Sequence, residues 1–194
     1  MPSHTKQDFP VSDIRRFLEP GPVVLVTSRL RGRTNIMTMG WHMVLEFSPS
    51  LVGCLISSGN HSHDMIAGSR ECVINVPAVR LAEKVVGIGN CSGADIDKFE
   101  AFDLTPVEAD EVDAPLIEEC HANLECRLVE QQRRYDLFIF EVVKAHALTR
   151  PKYPKTIHYR GDGMFMCPVG RSTCAASSAR TCCKSADQTV DLIY

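Results

Sequence analysis

No Cys-x-x-Cys spacing occurs in this chain, although nine of its 194 residues are cysteine. That absence removes zinc-ribbon and thioredoxin-type chemistry, both of which need the pair. Cys54, Cys72, Cys91, Cys120, Cys126 and Cys167 are scattered singly, and Cys174, Cys182 and Cys183 fall near the end. In a reducing cytosol all are expected as free thiols. A basic excess is also missing. Lys plus Arg is 21 against 24 for Asp plus Glu, a formal charge of −3, so no electrostatic nucleic-acid partner is expected. No apolar run approaches the ~20 residues of a spanning helix, so no membrane partner is expected. Met1 to Asp8 has no apolar core of a signal peptide, and the chain reads as cytoplasmic. There is no repeat of about 20–50 residues. Neither a nucleophile triad nor a paired-carboxylate motif stands out.

Ordinary globular material remains: 44% hydrophobic and 23% charged residues, enough to exclude a disordered body. Residues 1–170 read as one domain and 171–194 as a tail rich in Ser, Ala and Cys, outside it. Ser12 to Leu18 reads as a short helix stopped at Pro20-Gly21. Pro22 to Ser28, Asn35 to Val44, Leu51 to Ser58 and Glu71 to Val76 read as strands, followed by two long ones, Asn123 to Gln131 and Asp136 to Ala147. Short helices are expected at Ser62 to Gly68, Val79 to Ile88 and Ile96 to Phe102. The strands follow one another like hairpins, without a βαβ rhythm. The fold class is therefore mainly β with short helices, an antiparallel barrel or sandwich. The acidic stretch Glu108 to Glu119 reads as a solvated loop.

Four segments carry candidate chemistry. In the strand Asn35 to Met43, alternation puts Met37, Met39, Trp41 and Met43 on one face and Ile36, Thr38, Gly40 and His42 on the other. The small Thr38 and Gly40 leave backbone open to a flat ligand, or Gly40 marks a bulge. Cys54-Leu55-Ile56-Ser57-Ser58-Gly59-Asn60-His61-Ser62 runs from a strand into a helix start. Unpaired N–H groups there, with nearby hydroxyls, suit a phosphate. Alternatively, Asn60 or Ser62 simply caps the helix. The third segment, Asn90 to Phe99, holds Ser92 and a single cation, Lys98. The fourth, Lys155 to Phe165, carries His158 and Tyr159 before a glycine-rich turn and could fold back over a site. Arg29, Arg31 and Arg33 form a basic turn, read as solvated.

In order and spacing, Asn35-x-Met37-Thr38-x-Gly40-Trp41, Asn60-His61-Ser62-x-Asp64-x-Ile66, Asp97-Lys98-Phe99 and His158-Tyr159-Arg160-Gly161 resemble the flavin reductase-like, FMN-binding split-barrel family, especially its flavoredoxin branch. The resemblance covers about Pro22 to Gly170. It implies a six-stranded antiparallel split β-barrel, a homodimer with FMN near the subunit interface. Met37, Thr38, Met39, Gly40 and Trp41 would border the ring. Cys54, Leu55, Ile56 and Ser57 would offer backbone along ring and ribityl chain. Asn60, His61 and Ser62 would hold the phosphate, Ser92 and Lys98 would form a second strip, and His158 would approach from the arm. The implied activity passes electrons from NADH or NADPH through FMN to free flavin or another acceptor. The alternative is an electron carrier serving a redox protein partner. Such a cofactor carries the redox chemistry itself, which agrees with the missing triad.

Overall fold

Val23 to Thr27 alternates between two apolar environments, and the fold follows from that alternation. A computed structural model describes residues 6–14, 21–161 and 164–167. Its strands are β1 (Gln7–Asp8), β2 (Val24–Leu30), β3 (Arg33–Met39), β4 (His42–Phe47), β5 (Ser50–Leu55), β6 (Glu71–Val76), β7 (Pro106–Val107), β8 (Leu116–Ile117), β9 (Ala122–Gln132), β10 (Leu137–Ala147), β11 (His158–Gly161) and β12 (Met164–Met166). The α-helices are α1 (His61–Ser69), α2 (Ala82–Gly89) and α3 (Lys98–Ala101). Of the helix expected at Ser12 to Leu18, a 3₁₀ turn at Val11–Asp13 is seen. Residues 15–20, and the whole tail after 170, lie outside the described residues.

The main sheet runs β3-β2-β6-β9-β10-β5-β4, all antiparallel, with β1 beside β10. Its two ends, β3 and β4, are consecutive in the chain. The single strand expected over Asn35 to Val44 is therefore two strands, broken at Gly40 and Trp41. Its first half pairs with β2 and its second with β5, so one bent strand closes a barrel of six. The break also corrects the expected faces. Met37 and Met39 turn into the barrel core, whereas Trp41 and Met43, of the same parity, are exposed. Two residues outside the ladder reset the alternation.

Inside the barrel, Val24, Val26, Ile74, Leu124, Phe138 and Phe140 pack in one cluster. The rings of Phe138 and Phe140 lie 6.1 Å apart and nearly parallel. Each such side chain, fully buried, contributes roughly 1.5–3 kcal/mol. Cys54, Cys72 and Cys126 share this interior, and burial pushes the Cys54 and Cys72 thiols up, as expected of inert core cysteines. Val23, Leu25 and Ile36 face the other way and pack against Leu81, Val85 and Ile88 around α2 and Phe99 of α3. This second core seats both helices on the outside of β2 and β3.

The acidic stretch is more than a solvated loop. Val112, Ala114 and Leu116 bury against Val73. The loop is tied down by charge: Arg29 grips Glu108 at 2.9 Å and Asp113 at 3.1 Å. Buried Glu125 accepts the N–H groups of Asp110 and Glu111 and pairs with His146 at 2.7 Å. Arg29 is thus a strut and not part of a solvated turn.

His121 is 2% exposed, and burial, assisted by Lys6 and Arg80, lowers its pKa to about 4. The native state therefore resists a proton that the unfolded chain takes up below pH ~6.5. Stability should be complete above that pH and fall as pH drops from about 6.5 toward 4, by roughly 3 kcal/mol. Urea midpoints at pH 7 and pH 4.5 should show the decline, and His121→Gln should flatten it. A His121→Gln slope equal to the parent's would remove His121 as the cause.

Candidate functional site

Two hollows open beside β3 and meet under α2. The larger, about 720 Å³, is walled by Met37, Thr38, Met39, Gly40, Trp41 and Leu55 from the barrel and by Val85, Val86 and Gly89 from α2. Tyr135, Asp136, Tyr159 and Phe165 also border it. The smaller, about 450 Å³, is polar: Asn35, Gly59, Asn60, His61, Ser62, Ser92, Gly93 and Lys98 line it. Met37, Asn60, Gly89 and Asn90 belong to both, so the hollows form one continuous groove.

Local sequence sets each wall. Thr38 donates its hydroxyl to the Val85 carbonyl at 2.7 Å, which holds α2 against β3. Thr38 is therefore a spacer that keeps the groove open, its hydroxyl already used. The turn before α1 is braced from the β9–β10 connection. Asp136, in a left-handed conformation (φ 51°), takes the Ser58 N–H on its carboxylate at 2.9 Å and the Ile56 N–H on its carbonyl at 3.0 Å. Asn60 precedes α1 without a side-chain capping bond, so the simple cap reading of Asn60 fails. The first turn of this nine-residue helix faces the polar hollow, where N–H groups and the dipole favour an anion. Ser62 does not cap either. It is buried, and its Oγ accepts from Asn35 Nδ2 at 2.8 Å.

Lys98 dominates the electrostatics. It is 5% exposed, and its Nζ donates to the Ile88 carbonyl at 2.9 Å. Desolvation lowers its pKa, partly opposed by Cys91. Asp97 caps α3 by accepting the N–H groups of Phe99 and Glu100, which places Lys98 at the polar end. A buried ammonium without an anion is costly, so the hollow is built for a negative ligand. Asn35 Oδ1 is buried with no hydrogen-bond partner and adds an unspent acceptor there. Gly93 lies against it: a Cβ at this position would stand 1.9 Å from Asn35 Oδ1.

Most of the expected residues are brought together: Met37 through Trp41, Leu55, Ser57, Asn60, His61, Ser62, Ser92 and Lys98 all line the groove. Three do not. Cys54 and Ile56 point into the barrel core, because alternate residues of one strand face opposite sides. The Leu55 and Ile56 N–H groups are taken by the Trp41 and Asp136 carbonyls. His158 is buried against Thr156 Oγ1 at 2.9 Å, and its neighbour Tyr159 takes the place on the arm. Val85, Val86, Tyr135 and Asp136 went unnoticed in the sequence. A Tyr-Asp pair between two long strands reads as an ordinary turn until the turn is seen against the groove.

Comparison with known proteins agrees with this geometry. The family model of the flavin reductase like domain matches residues 15–164. An uncharacterized protein of Archaeoglobus fulgidus is 37% identical over 135 residues, covering 69% of this chain and 76% of its own. The uncharacterized protein YddH of Escherichia coli is 32% identical over 174 residues, covering 81% and 92%. Among solved structures, the FMN-binding domain of a flavin reductases-like enzyme from Shewanella baltica superposes with a TM-score of 0.82 at 29% identity, over 89% of this chain and 98% of that one. The flavoredoxin of Desulfovibrio vulgaris superposes at 0.74 with 24% identity, over 82% and 92%, a likeness of fold. Barrel, groove and sequence match converge, and the chain belongs to the flavin reductase-like domain family.

Proposed function

We propose that the groove holds FMN and that the chain is an oxidoreductase passing electrons from NADH or NADPH to free flavin or another acceptor. One observation carries this reading: an apolar hollow for a flat ring adjoins, through four shared lining residues, a polar hollow holding a buried Lys98 that has no carboxylate partner among the described residues. The residues present fit the group. Met37, Thr38 and Trp41 would flank the ring, while Lys98, Ser92 and the first turn of α1 would hold the phosphate. FMN, when bound, supplies the electron transfer itself. The protein's part is to bind, orient and keep water from the ring. In keeping with that division, Asp136 is the one charged residue among the described residues lining the larger hollow, and its carboxylate is committed to the Ser58 N–H.

The test is the visible spectrum of the purified protein after addition of FMN, then after NADH or NADPH. A stoichiometric yellow complex that bleaches with the nicotinamide and turns over with added free flavin is expected. Tight FMN without turnover would instead assign the carrier role, and absence of an FMN complex would end the reading.

The chain is also proposed to work as a homodimer. Trp41, just before β4, and Met43, Leu45 and Phe47 within it, at the sheet's end, are 74%, 48%, 43% and 51% exposed. Four large, exposed apolar side chains gathered at a terminal strand offer a surface that a second copy can cover by twofold symmetry. Trp41 belongs to both patch and groove, which would place FMN beside the interface. Light scattering should give a dimer for the parent and a monomer for the double variant Leu45→Glu, Phe47→Glu. A monomeric parent would rule the dimer out.

A further inference from the structure

The turn joining β9 to β10 carries a feature that FMN binding does not use. Arg133–Tyr135 is an exposed 3₁₀ turn, and Tyr135 borders the mouth of the larger hollow. The Arg134 guanidinium sits 5.5 Å from the centre of the Tyr135 ring. Other arginines of the described residues are used in part. Arg29 and Arg127 pair with carboxylates, and Arg70 and Arg80 donate to backbone carbonyls. Among the described residues, neither Arg133 nor Arg134 has a carboxylate within salt-bridge distance. Lys98, the cation of the groove, lies in the other hollow, committed to the polar end.

An electron donor of the dinucleotide class has an apolar nicotinamide end and a polyanionic remainder. Only the first suits the larger hollow, which has no cation among the described residues that line it. The remainder must emerge from it, and the turn that carries both arginines borders the hollow through Tyr135. Guanidinium groups bind phosphate in a forked, charge-assisted geometry, and Arg134 lies close to the ring of Tyr135. We infer that Arg133 and Arg134 dock the phosphates of the nicotinamide dinucleotide and so determine which electron donor the protein accepts. This rests on the FMN oxidoreductase reading and adds donor selection to it.

The experiment uses the FMN-loaded full chain and the double variant Arg133→Ala, Arg134→Ala. Four donors are compared: NADH, NADPH, reduced nicotinamide mononucleotide, and 1-methyl-1,4-dihydronicotinamide, which has no phosphate. NADP⁺ binding is measured in parallel by calorimetry. The variant should lose roughly tenfold or more in KM for the dinucleotides and in NADP⁺ affinity, with kcat retained. It should use the methyl compound like the parent, and Arg133→Lys, Arg134→Lys should recover part of the loss. Equal losses for NADH and NADPH assign the pyrophosphate, and a loss confined to NADPH assigns the 2′-phosphate. Unchanged KM and NADP⁺ affinity, or an equal loss with the methyl compound, would overturn the docking role while FMN binding stands. A parent chain that takes up no FMN would instead fail the underlying reading.

Discussion

Lys98→Met should lower FMN affinity by about 100-fold while moving riboflavin affinity by less than about threefold. The size follows from removing the cationic partner of a desolvated anion, worth about 3 kcal/mol or more. The selectivity follows because riboflavin has no phosphate to lose. Methionine fills similar volume in the pocket between α2 and α3, and it spares the fold a buried ammonium that donates to the Ile88 carbonyl and has no carboxylate partner among the described residues. Thermal stability of the FMN-free chain should therefore hold or rise. Fluorescence titration with both flavins, beside a melting curve, reads all three quantities. Equal losses for FMN and riboflavin would move the phosphate away from Lys98.

Gly93→Ala should damage the same pocket from the opposite wall. The new Cβ would lie 1.9 Å from Asn35 Oδ1 and 2.5 Å from Asn35 Cγ. Asn35 cannot simply swing aside, because it is 3% exposed and bonded to Ser62 Oγ at 2.8 Å. Either the 91–95 loop lifts or the Asn35–Ser62 bond breaks. Overpacking of this kind costs about 1–3 kcal/mol. FMN affinity should drop at least about 100-fold as the polar hollow loses its shape. Denaturant midpoint and FMN titration measure the two effects separately. A variant that binds FMN like the parent would show that the loop yields freely and that Asn35 has no part in the site.

The two readings of the β3–β4 region show where sequence reasoning stops. Its alternation was legible, and so was its nearness to a ligand. The break at Gly40 and Trp41 was not, because a strand that changes partner keeps the same local residue pattern on both sides. That break turned the expected apolar face into two things, core at Met37 and Met39 and open surface at Trp41 and Met43. The shift from His158 to Tyr159 has the same cause on a smaller scale: parity along an arm depends on what the arm packs against.

Strand content, hairpin succession, the glycine-bearing turn before α1 and the lone lysine after Asp97 were all readable from residue order, since each is local chemistry: propensity, capping and charge. Tertiary structure alone decided that α2 roofs the groove, that Asp136 braces the turn from the neighbouring β9–β10 connection, and that Lys98 is buried beneath a carbonyl instead of lying in solvent. Those outcomes depend on contacts between residues far apart in the chain, and burial, which sets the worth of a charge, exists only once those contacts have formed.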